Sequence, residues 1–561
     1  MRLLLYTLLA GVAFSCSSQS TVSVVAPATP VEHPPVEARK SEQIPPKLFI
    51  GIVVDQMRAD YLYRFWGDFG DGGFKRLMND GFFCADHHFT YAPTYTGPGH
   101  ASVYTGTTPA IHGIISNDWF DKESGAMVYC ATDTTVNGVG TIKKGGKMSP
   151  HRLLTTTLTD ELMLSSNFRS KVVGLSMKDR GAILPAGHHP TGAYWFMGGT
   201  EGVWATSTYY MQELPSWVKE FNNKNLPSNY LDGGWKLLRS EDTYDESYAD
   251  NNPYEAPYPG QLRPAFPHLF PAELENRFDY IKSSPLGNTL SVDFAIAAIE
   301  GEQMGQDQHP DFLALSFSCT DYVGHQFGPQ SREVQDIYLR LDLELERFLK
   351  YLDSTVGEGN YTLFLTADHG GANIPGFLKQ YNMPGGYWKP QSMLDDVDNY
   401  LKAKYGAGQW VLQYVNDQFF LNKALIAKKK LDIEDIAEEI VAIAMQQPEV
   451  HDAKVTSELL EVDHTEIPWR NVQRGIHPQR SGEVLVLIKP GYIENGYTGT
   501  THGSPFSYDT HVPLIFFGKN IPTGETWRPT AIRDIAPTVS KLLRISQPSG
   551  CTGEMIFELN R

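Results

Sequence analysis

"KLFIGIVVD" runs from Lys47 to Asp55, a short, β-branched, wholly apolar stretch that stops at a carboxylate. Three more runs share its form. "FLALSFSCTD" ends at Asp321, "YTLFLTADHG" carries Asp368 and His369 at its end, and "SKVVGLSMKDR" ends at Lys178 and Arg180. Uninterrupted apolar runs suit strands buried on both faces of a parallel sheet. Helical patterns lie between them, as in "TTTLTDELMLSS" (155–166) and "SREVQDIYLRLDLELERFLKYLDS" (331–354). The alternation predicts an α/β fold, a three-layer α/β/α sandwich around a mostly parallel central sheet. In such sheets ligands bind beyond the carboxyl ends of the strands, where these polar residues fall.

One aspartate at a strand end is ordinarily a turn or a cap. Here there are three such ends, two of them with an adjoining histidine. Asp321 and His325 form D-x-x-x-H, which puts both on one side of a helical turn. His369 adjoins Asp368, and His502 lies in "GTTHGSPFSYDTHVP". Carboxylate and imidazole suit a divalent metal such as Zn²⁺. A further stretch, "YAPTYTGPGHASVYTG" (91–106), places Thr94 and Thr96 before a helix-compatible run. Two readings stand there: a helix cap, or a nucleophile at the positive end of a helix.

The 561-residue chain has a formal net charge of −18. That excludes a general basic footprint for nucleic acid, so any anion chemistry rests on local cations or metals. "MRLLLYTLLAGVAFSCSSQS" (1–20) reads as a secretory signal, with Cys16 placed either for lipid anchoring or beside simple cleavage. The Pro-rich residues 21–46 read as a tether. Export implies a periplasmic or extracellular protein, touching membrane only through a lipid at Cys16. It permits disulfides, for which Cys84–Cys130 and Cys319–Cys551 are the expected pairs. The catalytic region is expected to span 47–561, with a surface insertion over about 185–288. A second insertion over about 376–495 is expected as a small α+β cap, since "GQWVLQYVNDQFFLN", "DIEDIAEEIVAIAMQQ" and "VHDAKVTSELL" read strand, helix, strand.

Taken together, the order D…T-x-P-G-H…D-x-x-x-H…D-H…H resembles the alkaline phosphatase superfamily. The resemblance implies one zinc on Asp321, His325 and His502, and another on Asp55, Asp368, His369 and Thr96, which is the implied nucleophile. Thr94 matches the preceding, unreactive threonine, and His511 is read as a supporting residue. The K-x-R of Lys178 and Arg180 and the asparagine Asn117 resemble the phosphate-irrepressible, PafA-type group. The lysine and arginine there sit beside the phosphoryl group, which implies two zinc ions and no magnesium. A monoester dianion has three terminal oxygens and needs this additional cationic clamp, whereas a diester does not. If the segment is extended, Lys178 and Arg180 share a face. The expected activity is hydrolysis of small phosphate monoesters by a monomer, through a phosphothreonine. The alternatives are a phosphodiesterase or nucleotide pyrophosphatase and, less favoured, a non-catalytic zinc- or phosphate-binding surface protein.

Overall fold

The strand β1 (Leu48–Val54) is buried along all seven residues and sits near the centre of a ten-stranded sheet. The other members are β2 (Phe82–Cys84), β3 (Gly138–Val139), β4 (Val172–Ser176), β5 (Gly192–Met197), β6 (Val203–Ser207), β7 (Asp311–Phe317), β8 (Tyr361–Thr366), β9 (Leu514–Gly518) and β10 (Gly524–Thr526). Their order is β10-β2-β9-β8-β1-β7-β4-β5-β6-β3. This computed structural model describes residues 44–494 and 496–560. The expected signal segment, Cys16 and nearly all of the tether therefore lie outside the described residues.

The five strands β8, β1, β7, β4 and β5 are mutually parallel. Antiparallel pairings flank them, β9 on β8 at one side and β6 on β5 at the other. Val, Leu, Ile and Phe dominate the central strands, as burial on both faces requires. The strand ends align in register: Val54 opposes Phe317, and Val53 opposes Thr366. Asp55, Asp321 and Asp368 therefore leave the sheet at the same edge.

Four helices matter for the site. They are α1 (Thr96–Thr105), α2 (Asp179–Ala186), α3 (Cys319–Phe327) and α4 (Arg332–Leu352). α1 packs on α2, which lies along β4, β5 and β7; α3 packs on α4. Gly51 in β1 makes room for Tyr104 of α1, because a Cβ there would meet the Tyr104 hydroxyl at 2.3 Å.

Three expectations are corrected. Residues 192–197 and 203–207, read as part of a surface insertion, are β5 and β6 of the sheet itself. Their apolar character comes from burial in the sheet. Lys178 and Arg180 do not share an extended segment: Lys178 is extended at the N-cap, and Arg180 is already in the first turn of α2. The disulfides are absent, and Cys84, Cys130, Cys319 and Cys551 are free. Their surroundings explain this. Cys84 lies in β2 opposite Leu514, Cys130 packs at Gly97, the Cys319 thiol faces the Ile281 carbonyl at 3.7 Å, and Cys551 packs at Gly106.

Between His369 and His502 the chain builds a second, four-stranded antiparallel sheet from Val411–Val415, Gln418–Leu421, Val450–Val455 and Val484–Ile488. The helices Gln391–Tyr405 and Ile433–Ala444 accompany it, with a separate core around Trp388, Phe419 and Ile440. Lys454 follows Ala453 in a strand that ends at Val455, so "VHDAKVTSELL" is half strand and half helix.

Candidate active site

Thr96 is the first residue of α1, and no side chain caps that helix. The capping reading therefore fails for both threonines. The Thr94 hydroxyl donates instead to the Ser504 carbonyl (3.0 Å). The Thr96 hydroxyl lies 3.4 Å from Lys178 Nζ, 3.4 Å from Arg180 Nη2 and 3.5 Å from His369 Nε2. It is buried at a helix N-terminus, where free backbone N–H groups and the helix dipole favour negative charge. Asn117 accepts from the Gly97 N–H through Oδ1 (2.8 Å), which leaves its amide N–H groups for another acceptor.

Lys178 Nζ reaches Asp55 Oδ2 at 2.7 Å and Asp321 Oδ2 at 2.5 Å, and so joins two strand-end carboxylates. Arg180 Nη1 donates to the Tyr129 hydroxyl (3.0 Å), which donates in turn to Asp179. Two sets of ligand atoms converge: Asp55, Asp368 and His369, and Asp321, His369 and His502, each within 4.8 Å. His369 thus borders both sets. His325 Nε2 stands 3.2 Å from Asp321 Oδ1, one helical turn away on α3.

The residues fit divalent metal ions on two observations. His325, His369 and His502 each donate from Nδ1 to a backbone carbonyl, of Thr500 (2.7 Å), Gly370 (2.8 Å) and Thr94 (2.7 Å). That fixes the tautomer and leaves each Nε2 lone pair for a cation. Asp55 Oδ1 and Asp368 Oδ2 are buried with no hydrogen-bond partner, a costly state for acceptor atoms. Electrostatics agree. Burial, then Asp321 and Asp368, push the Asp55 carboxyl well above its ordinary value. Burial opposes charge on Asp321 too, but His325 and Lys178 hold it well below. Burial, with His369 and His325, depresses His502. Three crowded, buried carboxylates call for positive charge beside that of Lys178.

Several supporting groups had no clear signal in the sequence. Gln56, in a left-handed conformation (φ 62°), donates from its backbone to Asp368 Oδ1 (3.1 Å) and from its amide to Asp321 Oδ1 (2.7 Å). His100, one turn beyond Thr96, bonds the Thr96 carbonyl (3.0 Å) and the Ser316 hydroxyl (3.0 Å). Its T-x-P-G-H spacing was the only clue to it. Asp509 accepts from Gly503 N (3.1 Å), Ser504 N (2.8 Å) and Ser504 Oγ (2.6 Å), and so holds the turn that follows His502. His511 donates from Nε2 to the Ala85 carbonyl (3.0 Å) and stacks on His88; with Asp86 and His88 it forms a third cluster of potential ligand atoms, apart from the two sets at Thr96.

A family model described as type I phosphodiesterase / nucleotide pyrophosphatase matches residues 49–510. Alkaline phosphatase PafA of Elizabethkingia meningoseptica is 45% identical over 93% of this chain and 96% of its own length. The chain belongs to the PafA-type alkaline phosphatases. A second relative, alkaline phosphatase PhoV of Synechococcus elongatus, is 44% identical over 97% of each chain. A crystal structure of wild-type PafA superposes on this PafA-type chain with a TM-score of 0.88, at 45% identity, covering 92% of this chain and 99% of that one. The fold inferred from the apolar runs is therefore the fold of the alkaline phosphatase superfamily.

Proposed function

We propose that this PafA-type chain is an exported phosphate-monoester hydrolase of broad range, with Thr96 as nucleophile and two zinc ions as its metals. One observation carries the reading: Lys178 and Arg180 both stand 3.4 Å from the Thr96 hydroxyl, beside the two carboxylate–imidazole sets. Two cations beside the nucleophile support a monoester, whose dianion has a third terminal oxygen to be held.

Zinc ions at Asp55/Asp368/His369 and at Asp321/His325/His502 would supply Lewis-acid charge that lowers the pKa of the threonine hydroxyl and stabilises the departing oxygen. The chain supplies the rest. Thr96 Oγ attacks phosphorus in line as the bond to the leaving alcohol breaks, which yields a phosphothreonine and the alcohol. Water then cleaves the phosphothreonine and releases phosphate. Arg180, with its planar fork, Lys178, as a point charge, and the Asn117 amide together hold the equatorial oxygens. His100 and Gln56 hold the nucleophile's helix and the carboxylates in place. Beyond His502 a cavity of about 170 Å³, walled by aromatic groups such as Tyr95 and Trp388 and by polar ones such as Asn416, Asp417 and Lys489, gives a leaving group room.

The diesterase reading keeps one support, the description of the matching family model. Side-by-side turnover of p-nitrophenyl phosphate and bis-p-nitrophenyl phosphate separates the two. A preference for the diester would refute the monoesterase assignment, and undiminished hydrolysis by Thr96→Ala would refute the nucleophile. The N-terminal segment supports export to the periplasm or beyond, with or without a lipid at Cys16. We also propose a monomer that needs no magnesium; sedimentation and metal analysis test both.

A further inference from the structure

A cavity of about 510 Å³ opens between the helix Trp469–Gly475 and the turn Ile532–Asp534, and none of the catalytic residues lines it. Three arginines do: Arg470, Arg474 and Arg533. Arg470 and Arg474 lie four residues apart on one helix, so their side chains leave it on the same side. Among the described residues none of the three guanidiniums enters an ion pair or a hydrogen bond, and the Nε atoms of Arg470 and Arg533 are buried without a partner. The Thr90 hydroxyl, on the same wall, is buried and unpartnered as well.

Three carboxylates also line this cavity, and the Arg533 charge acts on that of Asp534, but none is paired directly with a guanidinium. Asp86 pairs with His88 (2.9 Å), Asp534 accepts the N–H groups of Ala531 (2.8 Å) and Glu554 (2.9 Å), and Glu554 is exposed. Burial, then the charges of Arg533 and Arg470, depress the Arg474 guanidinium. Guanidiniums gathered with no carboxylate bonded directly to them repel one another, and a bound anion would offset that cost. The volume lies in the range of small-molecule sites. Guanidinium forks match the paired oxygens of a tetrahedral oxyanion, and a hydroxyl adds a further donor.

We propose that Arg470, Arg474, Arg533 and Thr90 form a second binding site for a phosphate-type oxyanion, free or carried on a small organic molecule, separate from the Thr96 centre. Thr90 lies six residues before Thr96, and the Asn471 carbonyl accepts from the Ala92 N–H (2.9 Å), so the site's wall continues into the segment that carries the nucleophile.

Calorimetric titration of the metal-loaded full chain with inorganic phosphate tests the proposal. The expected result is two phosphates per chain. Arg470→Gln/Arg533→Gln should lose one class of site while p-nitrophenyl phosphate turnover stays within about twofold. Lys178→Ala/Arg180→Ala should weaken only the other class. Titration with phenylphosphonate distinguishes the source: binding at the second site marks an organic phosphate, and its exclusion there marks the free anion. One phosphate per wild-type chain, or an unchanged second class in the arginine double variant, overturns the proposal. So does a loss of turnover that parallels the loss of the site. Should the double variant fail to fold, Arg474→Gln, at a half-buried position, is expected to weaken the second class by about tenfold, in line with loss of one charge-assisted pair.

Discussion

The Arg180 guanidinium lies 3.4 Å from the Thr96 hydroxyl, although 84 residues separate the two in sequence. α2 begins at Asp179 directly after β4, and α1 packs along α2, so the first turns of both helices meet at the sheet edge. A group held there by two helices is organised before substrate arrives. Arg180→Ala and Lys178→Ala should each lower kcat/KM for p-nitrophenyl phosphate by about 100-fold, the usual scale for losing one charge-stabilising donor. Diester turnover should fall by less than about tenfold, since the diester lacks the third oxygen. Parallel kinetics on both substrates check the difference.

Tyr129 bridges Arg180 and Asp179 and touches no reacting atom. Tyr129→Phe should keep the fold and loosen only the guanidinium. The expected outcome is a several-fold rise in KM for the monoester, about 1 kcal/mol for one hydrogen bond, with kcat changed less. Steady-state kinetics with phosphate as a competitive inhibitor read the same loss.

Gly99 sits where α1 crosses the Asp368 backbone. A Cβ there would meet the Asp368 carbonyl oxygen at 2.3 Å and the Asp368 Cβ at 2.8 Å. Neither can yield without moving the strand end that carries Asp368 and His369, both proposed as ligands. Gly99→Ala should therefore cost about 2 kcal/mol or more through overpacking and lower metal content, as measured by denaturant unfolding and elemental analysis.

Chelation should abolish turnover, because unshielded Asp55, Asp321 and Asp368 would then face one another with Lys178 as their nearest ammonium. Zinc is expected to restore activity at two ions per chain, and magnesium alone is not. Activity assays with metal analysis after stepwise addition check the count.

His188 and Asp160 give a pH signature in stability, remote from the ligand sets. Burial opposes charge on His188, but its hydrogen bond to Asp160 (2.8 Å) outweighs burial and raises its pKa. The raised folded-state value means that this contribution is full below the unfolded pKa of about 6.5 and fades as pH rises through the folded value. Asp160 is shifted the other way: burial would raise it, but His188 and the Thr157 N–H lower it. Its contribution is present above about pH 4 and is lost as pH falls through the depressed value. His188→Ala should therefore destabilise by about 1 kcal/mol near pH 5.5 and by distinctly less near pH 9. Urea midpoints at the two pH values test this.

The parallel sheet, the strand-end carboxylates and the Asp321–His325 pair were legible in the chain because each depends on local pattern. A doubly buried strand must be apolar throughout, and a helical turn puts residues i and i+4 together whatever surrounds them. Lys178 and Arg180 were legible as a cationic pair, but the helix start at Asp179 was not, since only packing against α1 shows where β4 stops. The same limit hid β5 and β6 within an apparent insertion and left the cysteines looking pairable.

Residue order thus determined the architecture and the identities of the groups able to hold metals and phosphate, through period and residue chemistry acting over a few positions. Tertiary structure alone decided which of them meet: Gln56 bridging two aspartates, Tyr129 holding Arg180, Asp509 tying the turn after His502, and three arginines facing one cavity. Those contacts join distant segments, and their energies depend on burial and geometry that no short window of sequence contains.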